Sequence, residues 1–280
     1  MTTQATDRYA VVGHPISHSR SPWIHQEFAK ATHQLLEYDR YDVSAADLTS
    51  FLDSFFASGG KGLNITLPHK GSAAAAVQQL TPRATLAGAV NTIWMQATGV
   101  LVGDNTDGVG LLSDLTHNLG MTLKGRRILL VGAGGAARGV VAPLLEQAPA
   151  SLVISNRTAS RAQSLVALFE HLGPVSARSF SALGDTAFDL VINATAASLT
   201  DEVPAIPRQA ISPATVCYDM AYGKGDTPFT LFCKVHGARA THTGLGMLVE
   251  QAAESFFLWR GIKPKTARVL RELQSLTRAS

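Results

Sequence analysis

The chain has 280 residues, with 24 Lys and Arg against 21 Asp and Glu and a formal net charge of +3. So slight an excess of base excludes the dense positive field of a nucleic-acid binder, and a composition of 46% hydrophobic and 16% charged residues excludes a disordered chain. At roughly 150 residues per domain the length implies about two domains, and the two cysteines, Cys217 and Cys233, fit no disulfide framework and read as buried apolar residues.

Strand-like apolar runs alternate with helix-period segments along the chain, which predicts an α/β fold. Residues 9–13, 37–41 and 62–67 read as strands, and 23–31 and 47–57 as helices, with Ser44 capping the second helix and Asp47 completing a capping box. A second series has strands at 126–131, 152–155, 188–193 and 215–219 and helices at 135–147 and 159–170. Two final helices, 246–260 and 265–276, have no strand between them. The boundaries expected from this pattern give an N-terminal α/β lobe at 1–106, a second lobe of Rossmann-type βαβα pattern at 107–244, and helices at 245–280 returning to the first. Two such lobes imply hinge closure near Asp107 and Gly244. The opening residues show neither a cationic start nor an apolar core, and no later run approaches the ~18 apolar residues of a spanning helix. The expectation is a cytoplasmic protein, monomer or homodimer, that binds a small molecule and neither nucleic acid nor membrane.

Gly132-Ala133-Gly134-Gly135-Ala136-Ala137 follows the strand Ile128-Leu129-Leu130-Val131 and opens a helix. This GxGxxA pattern suits a pyrophosphate: a tight turn at Gly132, close backbone approach at Gly134, and free N–H groups at a helix start. The next strand ends in Ser155-Asn156-Arg157-Thr158, with Arg161 one turn on. An acidic residue there would bind the ribose of NAD and repel a 2′-phosphate; two arginines with Asn156 and Thr158 favour NADP.

In the first half, polar clusters fall where strands end, the usual ligand edge of an open α/β sheet. Ser19 and Ser21 precede a helix that Pro22 can start, so each could cap it or take a carboxylate. Asn64 and Thr66 share a strand face, Lys70 follows Pro68, and Asn91-Thr92 is followed by Gly103-Asp104-Asn105-Thr106-Asp107-Gly108. His14, His18, His25, His33 and His69 crowd this half, but their spacing matches no metal site. Leu248, Ala252, Ser255 and Trp259 follow helical spacing, so the run Phe256-Phe257-Leu258-Trp259 reads as core, on the helix that carries Gln251.

The blocks HSRSP, NITLPHK, GAVNT, GDNTDG, GAGGAARG, NRT, YDMAY and GLGMLVEQAAESF, in this order from His18 to Phe256, resemble shikimate dehydrogenases. The resemblance implies an NADP-dependent enzyme of aromatic amino-acid biosynthesis that interconverts shikimate and 3-dehydroshikimate. It makes Ser19 and Ser21 ligands of the substrate carboxylate, and Thr66, Asn91, Asp107 and Gln251 ligands of its hydroxyls. It brings Tyr222 to the substrate, Met220 and Gly244 to the nicotinamide, and Thr195 to the cofactor. Lys70 and Asp107 become the catalytic pair, with hydride moving from NADPH to the ring ketone while the Lys70 ammonium supplies the proton and Asp107 orients it.

A departure from the family pattern is Ala196, where a small hydroxyl residue is usual; a modest change in cofactor affinity and none in chemistry is expected. The acidic NAD-selecting residue of quinate-utilising relatives is absent, and Ser21 stands where they often carry threonine. A dual shikimate/quinate dehydrogenase and a non-catalytic NADP-binding paralogue are the competing readings; retention of both Lys70 and Asp107 weighs against the latter.

Overall fold

The computed structural model describes residues 6–279. They divide into two compact units: one of residues up to Gly110 with Leu248–Val269, the other of Leu111–Met247 with residues from Leu270 on.

The first unit is built on a six-stranded mixed sheet in the order β2-β1-β3-β5-β6-β4. Its elements run β1 (Asp7–Gly13), α1 (Ser21–Thr32), β2 (Leu36–Asp42), α2 (Leu48–Ala57), β3 (Gly60–Ile65), α3 (Lys70–Ala76), β4 (Gln79–Leu80), α4 (Pro82–Ala87), β5 (Thr92–Met95), β6 (Leu101–Asp104) and the start of α5 (Asp107–Ser113). β1 pairs in parallel with β2 and β3, whereas β5 runs antiparallel to both β3 and β6. The carboxyl ends of β1, β3 and β6 and the amino end of β5 therefore share one sheet edge. One face of the sheet buries Val12, Leu63, Ile65 and Ile93 against Leu48, Leu52, Phe55 and Phe56 of α2, each fully buried large side chain contributing roughly 1.5–3 kcal/mol.

Ser44 does not cap α2: its hydroxyl donates to the Asp47 carboxylate at 2.6 Å, and Asp47, the cap residue, makes no side-chain cap bond. Residues 45–47 form a turn before the helix, so the acid–hydroxyl pair closes that turn and leaves the first helical N–H groups unpaired by it. On the other face α9 (Leu245–Arg260) lays Ala252, Ser255 and Phe256, all fully buried, toward the sheet. Phe257 alone of the aromatic run is clearly exposed, as the helical spacing requires.

His25 lies in this second layer with no exposure, stacked on Tyr38 at 4.2 Å and 8° and beside Trp259 at 5.3 Å. Neither ring nitrogen has a hydrogen-bond partner, and burial holds its pKa down at about 3 against an ordinary 6.5. The unfolded chain takes up this proton near pH 6.5 and the folded chain near 3, so His25 stabilises the fold above that window and loses its contribution as pH falls through it. Unfolding free energy is expected to drop by up to about 1.4 kcal/mol per pH unit across the window from this group alone. Urea unfolding at several values between pH 6.5 and 4.5 reads the slope, which His25→Phe should flatten; parallel profiles would refute the assignment.

The second unit carries a six-stranded sheet in the order β12-β11-β10-β7-β8-β9, parallel throughout. After α5 and a π-helical turn at Asp114–Asn118 come β7 (Arg127–Val131), α6 (Gly135–Glu146), β8 (Ser151–Ser155), α7 (Ala159–Phe169), β9 (Val175–Ala177), β10 (Leu190–Asn193), β11 (Val216–Asp219), α8 (Pro228–Val235) and β12 (Ala240–Thr243). α10 (Ala267–Ala279) ends the chain. Ile128, Leu129, Leu130 and Val131 are all fully buried, as expected of a parallel strand covered on both faces. Counted from β7, the spatial order is 3-2-1-4-5-6, the doubly wound dinucleotide-binding order, whose reversal lies between β7 and β10. Cys217 and Cys233 are free and buried in its core, as their composition suggested.

Candidate active site

In the first unit, residues from both halves of the sequence meet at the shared sheet edge. Lys70 opens α3, where a cation opposes the helix dipole, and it is compensated by Asp107: Nζ donates to Oδ2 at 2.5 Å, with the two side chains 15% and 5% exposed. The other carboxylate oxygen accepts from Asn91 Nδ2 at 2.8 Å. The same amide reaches Thr106 Oγ1 at 2.9 Å and Gln251 Oε1 at 3.3 Å, while Asn91 Oδ1 accepts the Thr106 N–H at 2.8 Å. Asn91 can do this because β5 is antiparallel, which delivers the start of that strand to the edge where β3 and β6 finish.

Four of the expected substrate residues, Lys70, Asn91, Asp107 and Gln251, thus form one bonded group. Ser19 and Ser21 flank the start of α1 at the end of the β1 connection; both are buried, and the Ser21 N–H donates to Ser19 Oγ at 3.3 Å. Arg20, not a serine, is the cap residue of α1, and no side-chain cap bond is made there. Thr66 follows β3 by one residue, half-buried. Tyr222 follows β11 in the second unit and is also half-buried.

A buried second layer was only partly visible in the sequence. Asp104 takes two bonds from Arg83, at 2.7 and 2.6 Å, one from Thr81 at 2.5 Å and one from the Asn105 N–H at 2.7 Å. Burial acts to raise its carboxyl, but the Arg83 guanidinium and these donors outweigh it and hold the group below the usual carboxylate range. Arg83 also reaches Glu254 on α9 at 3.2 Å. Tyr38, Asn64, Thr92 and Ser255 form a further hydrogen-bonded chain behind Asn91. Arg83 and Tyr38 lie outside the quoted sequence blocks; Ser255 lies inside the last of them, on the helix that carries Gln251.

Three of the five histidines in the first half are accounted for singly. His14 pairs with Asp42 at 2.5 Å, His69 bonds the Val43 carbonyl at 2.8 Å and His25 is buried among aromatics. Among the described residues no group of three His, Cys, Asp or Glu is placed to hold a metal ion.

In the second unit, Gly132 has φ of +113°, and a side-chain carbon there would lie 3.1 Å from the Ala194 backbone. Both facts demand glycine at the point where the loops after β7 and β10 meet. Ala133, half-buried, and Gly134 lead into α6, which starts at Gly135 and Ala136 with no acidic residue in its first turn. A side-chain carbon on Gly134 would meet nothing within 4 Å, and no side chain caps this helix. Open space before free helical N–H groups fits a pyrophosphate.

Arg157 and Thr158 are exposed before α7, whose first turn also lacks an acid, and Arg161 is exposed within it. The Asn156 amide is partly committed, donating to the Thr158 carbonyl at 2.9 Å and so shaping this loop. The Thr195 hydroxyl donates to Asn193 at 2.7 Å, and Ala196 stands exposed beside it. Asp219 anchors the segment, accepting from Asn193 at 3.1 Å, Ser198 at 2.6 Å and Thr227 at 2.6 Å, and burial pushes its carboxyl up. Met220 and Gly244 are brought together: a side-chain carbon on Gly244 would collide with the Met220 carbonyl.

Residues 11–93 match the family described as shikimate dehydrogenase substrate binding domain, 114–213 that described as shikimate / quinate 5-dehydrogenase, and 244–274 that described as shikimate 5'-dehydrogenase C-terminal domain. The chain is 54% identical over 268 residues to shikimate dehydrogenase (NADP(+)) of Aeromonas hydrophila, covering 96% of this chain and 97% of that one. It is 51% identical over 271 residues to the protein of that name from Chromobacterium violaceum, covering 97% and 99%. An Ael1 enzyme from Pseudomonas putida superposes with a TM-score of 0.89 at 44% identity, over 96% of this chain and 98% of that one. Shikimate 5-dehydrogenase from Thermus thermophilus, solved with NADP(H) and shikimate, gives 0.85 at 31%, over 96% and 99%. With identity above one half across nearly the whole length, and with the two sheets and the bonded Lys70–Asp107 pair already in view, the chain belongs to the shikimate dehydrogenase family.

Proposed function

We propose that this chain is an NADP-dependent shikimate dehydrogenase, an oxidoreductase that reversibly reduces 3-dehydroshikimate to shikimate in aromatic amino-acid biosynthesis and works in the cytoplasm. Residues 1–106 with 245–280 take the substrate and 107–244 the cofactor. The observation that carries the reading is the buried pair of Lys70 and Asp107, 2.5 Å apart, with Asn91 on the second carboxylate oxygen. No helix among the described residues is long and apolar enough to cross a membrane.

NADP, when bound, supplies the redox chemistry by accepting or returning a hydride at the substrate carbon. Gly132, Ala133, Gly134, Gly135 and Ala136 hold its pyrophosphate, Asn156, Arg157, Thr158 and Arg161 its 2′-phosphate side, and Thr195, Met220 and Gly244 its nicotinamide side. Ser19 and Ser21 take the substrate carboxylate beside the positive end of α1. Thr66, Asn91, Asp107, Tyr222 and Gln251 bind the rest of the ring.

Reduction of the ketone leaves negative charge on its oxygen, and Lys70 answers it by donating a proton from Nζ. Asp107 and Asn91 fix where Nζ points, so the donor is oriented before the charge appears. In the oxidation direction the same Nζ takes the proton back from the substrate hydroxyl.

Initial rates of nicotinamide reduction by the purified protein, with shikimate or quinate and NADP or NAD, test the reading. A rate confined largely to shikimate with NADP is expected. A preference for quinate or NAD would move the chain to a sister branch, and silence with every pair would overturn the reading.

A further inference from the structure

Behind the residues proposed to touch substrate lies a chain of buried polar groups. The Tyr38 hydroxyl, on a side chain 3% exposed, donates to Asn64 Oδ1 at 2.7 Å. Asn64 Nδ2 faces the Asn91 carbonyl at 3.1 Å, Thr92 Oγ1 at 3.2 Å and Ser255 Oγ at 3.0 Å. Thr92 Oγ1 then donates to Asn91 Oδ1 at 2.9 Å and lies 2.7 Å from Ser255 Oγ. Ser255 donates to the Gln251 carbonyl one turn earlier on α9, at 3.0 Å.

An asparagine amide has two orientations that differ only in which partners donate and accept. Tyr38 decides between them. Burial keeps its phenol protonated, and because the Ser21 hydroxyl bonds the phenol oxygen, the single phenol proton goes to Asn64 Oδ1 and sets the amide with its oxygen toward Tyr38. The nitrogen is then committed to β5 and α9, the elements that carry Asn91 and Gln251. The ring itself is stacked on His25, 4.2 Å away at 8°, and meets Trp259, whose Nε1 bonds the Ile93 carbonyl at 3.2 Å, in a tilted contact at 6.4 Å and 41°. The Asn64 side chain also lies close to the His25 ring, where its pull on that imidazole is weaker than burial.

We propose that Tyr38 is a positioning residue for the substrate: its hydroxyl fixes the Asn64 amide, and through it the placement of Asn91 on β5 and of Gln251 on α9. It acts without touching the substrate, and the role rests on the functional reading above.

The test compares Tyr38→Phe, Ser255→Ala and the double variant with the unsubstituted protein, using shikimate and NADP. Removing the Tyr38 donor leaves the buried Asn64 oxygen unpaired and free to flip, so the KM for shikimate is expected to rise about 10-fold, the value of one lost buried hydrogen bond. The KM for NADP should stay within about twofold, and the double variant should lose less than the product of the singles because both act on Asn64. An unchanged shikimate KM in an active protein overturns the proposal and leaves the functional reading standing. Equal rises in both KM values with a lowered melting temperature overturn it in favour of a purely structural role. If Tyr38→Phe does not fold, Ser255→Ala carries the test alone, and an unaltered shikimate KM there has the same meaning. An unsubstituted protein silent with shikimate and NADP would sink the functional reading itself, and the positioning role with it.

Discussion

Lys70→Ala is expected to lower kcat for shikimate oxidation by about 10²–10⁴-fold, the range of a lost general acid–base group, with a much smaller change in the KM for NADP. Alanine removes the one ammonium bonded to Asp107 and leaves that carboxylate, 5% exposed, with Asn91 as its remaining side-chain donor. Some loss of stability accompanies this, so the kinetic effect must be read at a temperature where unfolding curves show both proteins folded. Asp107→Asn keeps the shape of the side chain but removes the charge that orients Nζ, and kcat should fall there too. If the pair acts as one unit, the double variant will be hardly worse than Lys70→Ala alone. A raised shikimate KM with unchanged kcat would instead make Lys70 a binding residue only.

Much of this arrangement could be read from residue order. The parallel sheet of the second unit was legible because strands such as Ile128-Leu129-Leu130-Val131 are buried on both faces and carry unbroken apolar runs, and because Gly132 marks the turn that follows. β12 was not, since Ala240-Thr241-His242-Thr243 is short, polar and only half-buried at the sheet margin. In the first unit the hairpin of β5 and β6 escaped notice although Gly99, at φ of +83°, closes its turn. Strands of four residues lie at the lower limit of a periodic signal. That omission had a consequence for the site: the role of Asn91 was supplied by family resemblance, while its location depends on an antiparallel strand that periodicity did not reveal. The roles of Lys70, Asp107 and Gln251 came from the same resemblance, and the contact between positions 91 and 251 belongs to tertiary packing, as does the junction of Arg83 with Asp104 and Glu254. Ser44 and Asp47 differ from these: their spacing suits a capping box, but the two side chains bond each other across a local turn and cap nothing.

Cofactor choice is the second place where a large effect is expected. Arg157 and Arg161 stand exposed around the N-terminus of α7, where no acidic residue offsets them. Two cations at the positive end of a helix repel the dipole, a cost that a bound phosphate dianion reverses. Each substitution, Arg157→Ala or Arg161→Ala, is expected to raise the KM for NADP about 10-fold, the low end for a charge-assisted hydrogen bond at an exposed site, with kcat little altered. The KM for NAD, which has no phosphate to hold, should barely move. Arg157→Asp goes further, because a carboxylate repels the 2′-phosphate and can accept bonds from free ribose hydroxyls. The quantity to measure is the ratio of kcat/KM for NADP to that for NAD, at two ionic strengths. It should fall in each variant, and in the unsubstituted protein it should fall with added salt, since solvent-exposed guanidinium groups are screened within about 8–10 Å near physiological ionic strength. A ratio indifferent to both arginines and to salt would mean that shape around Asn156 and Thr158, and not charge, selects the cofactor.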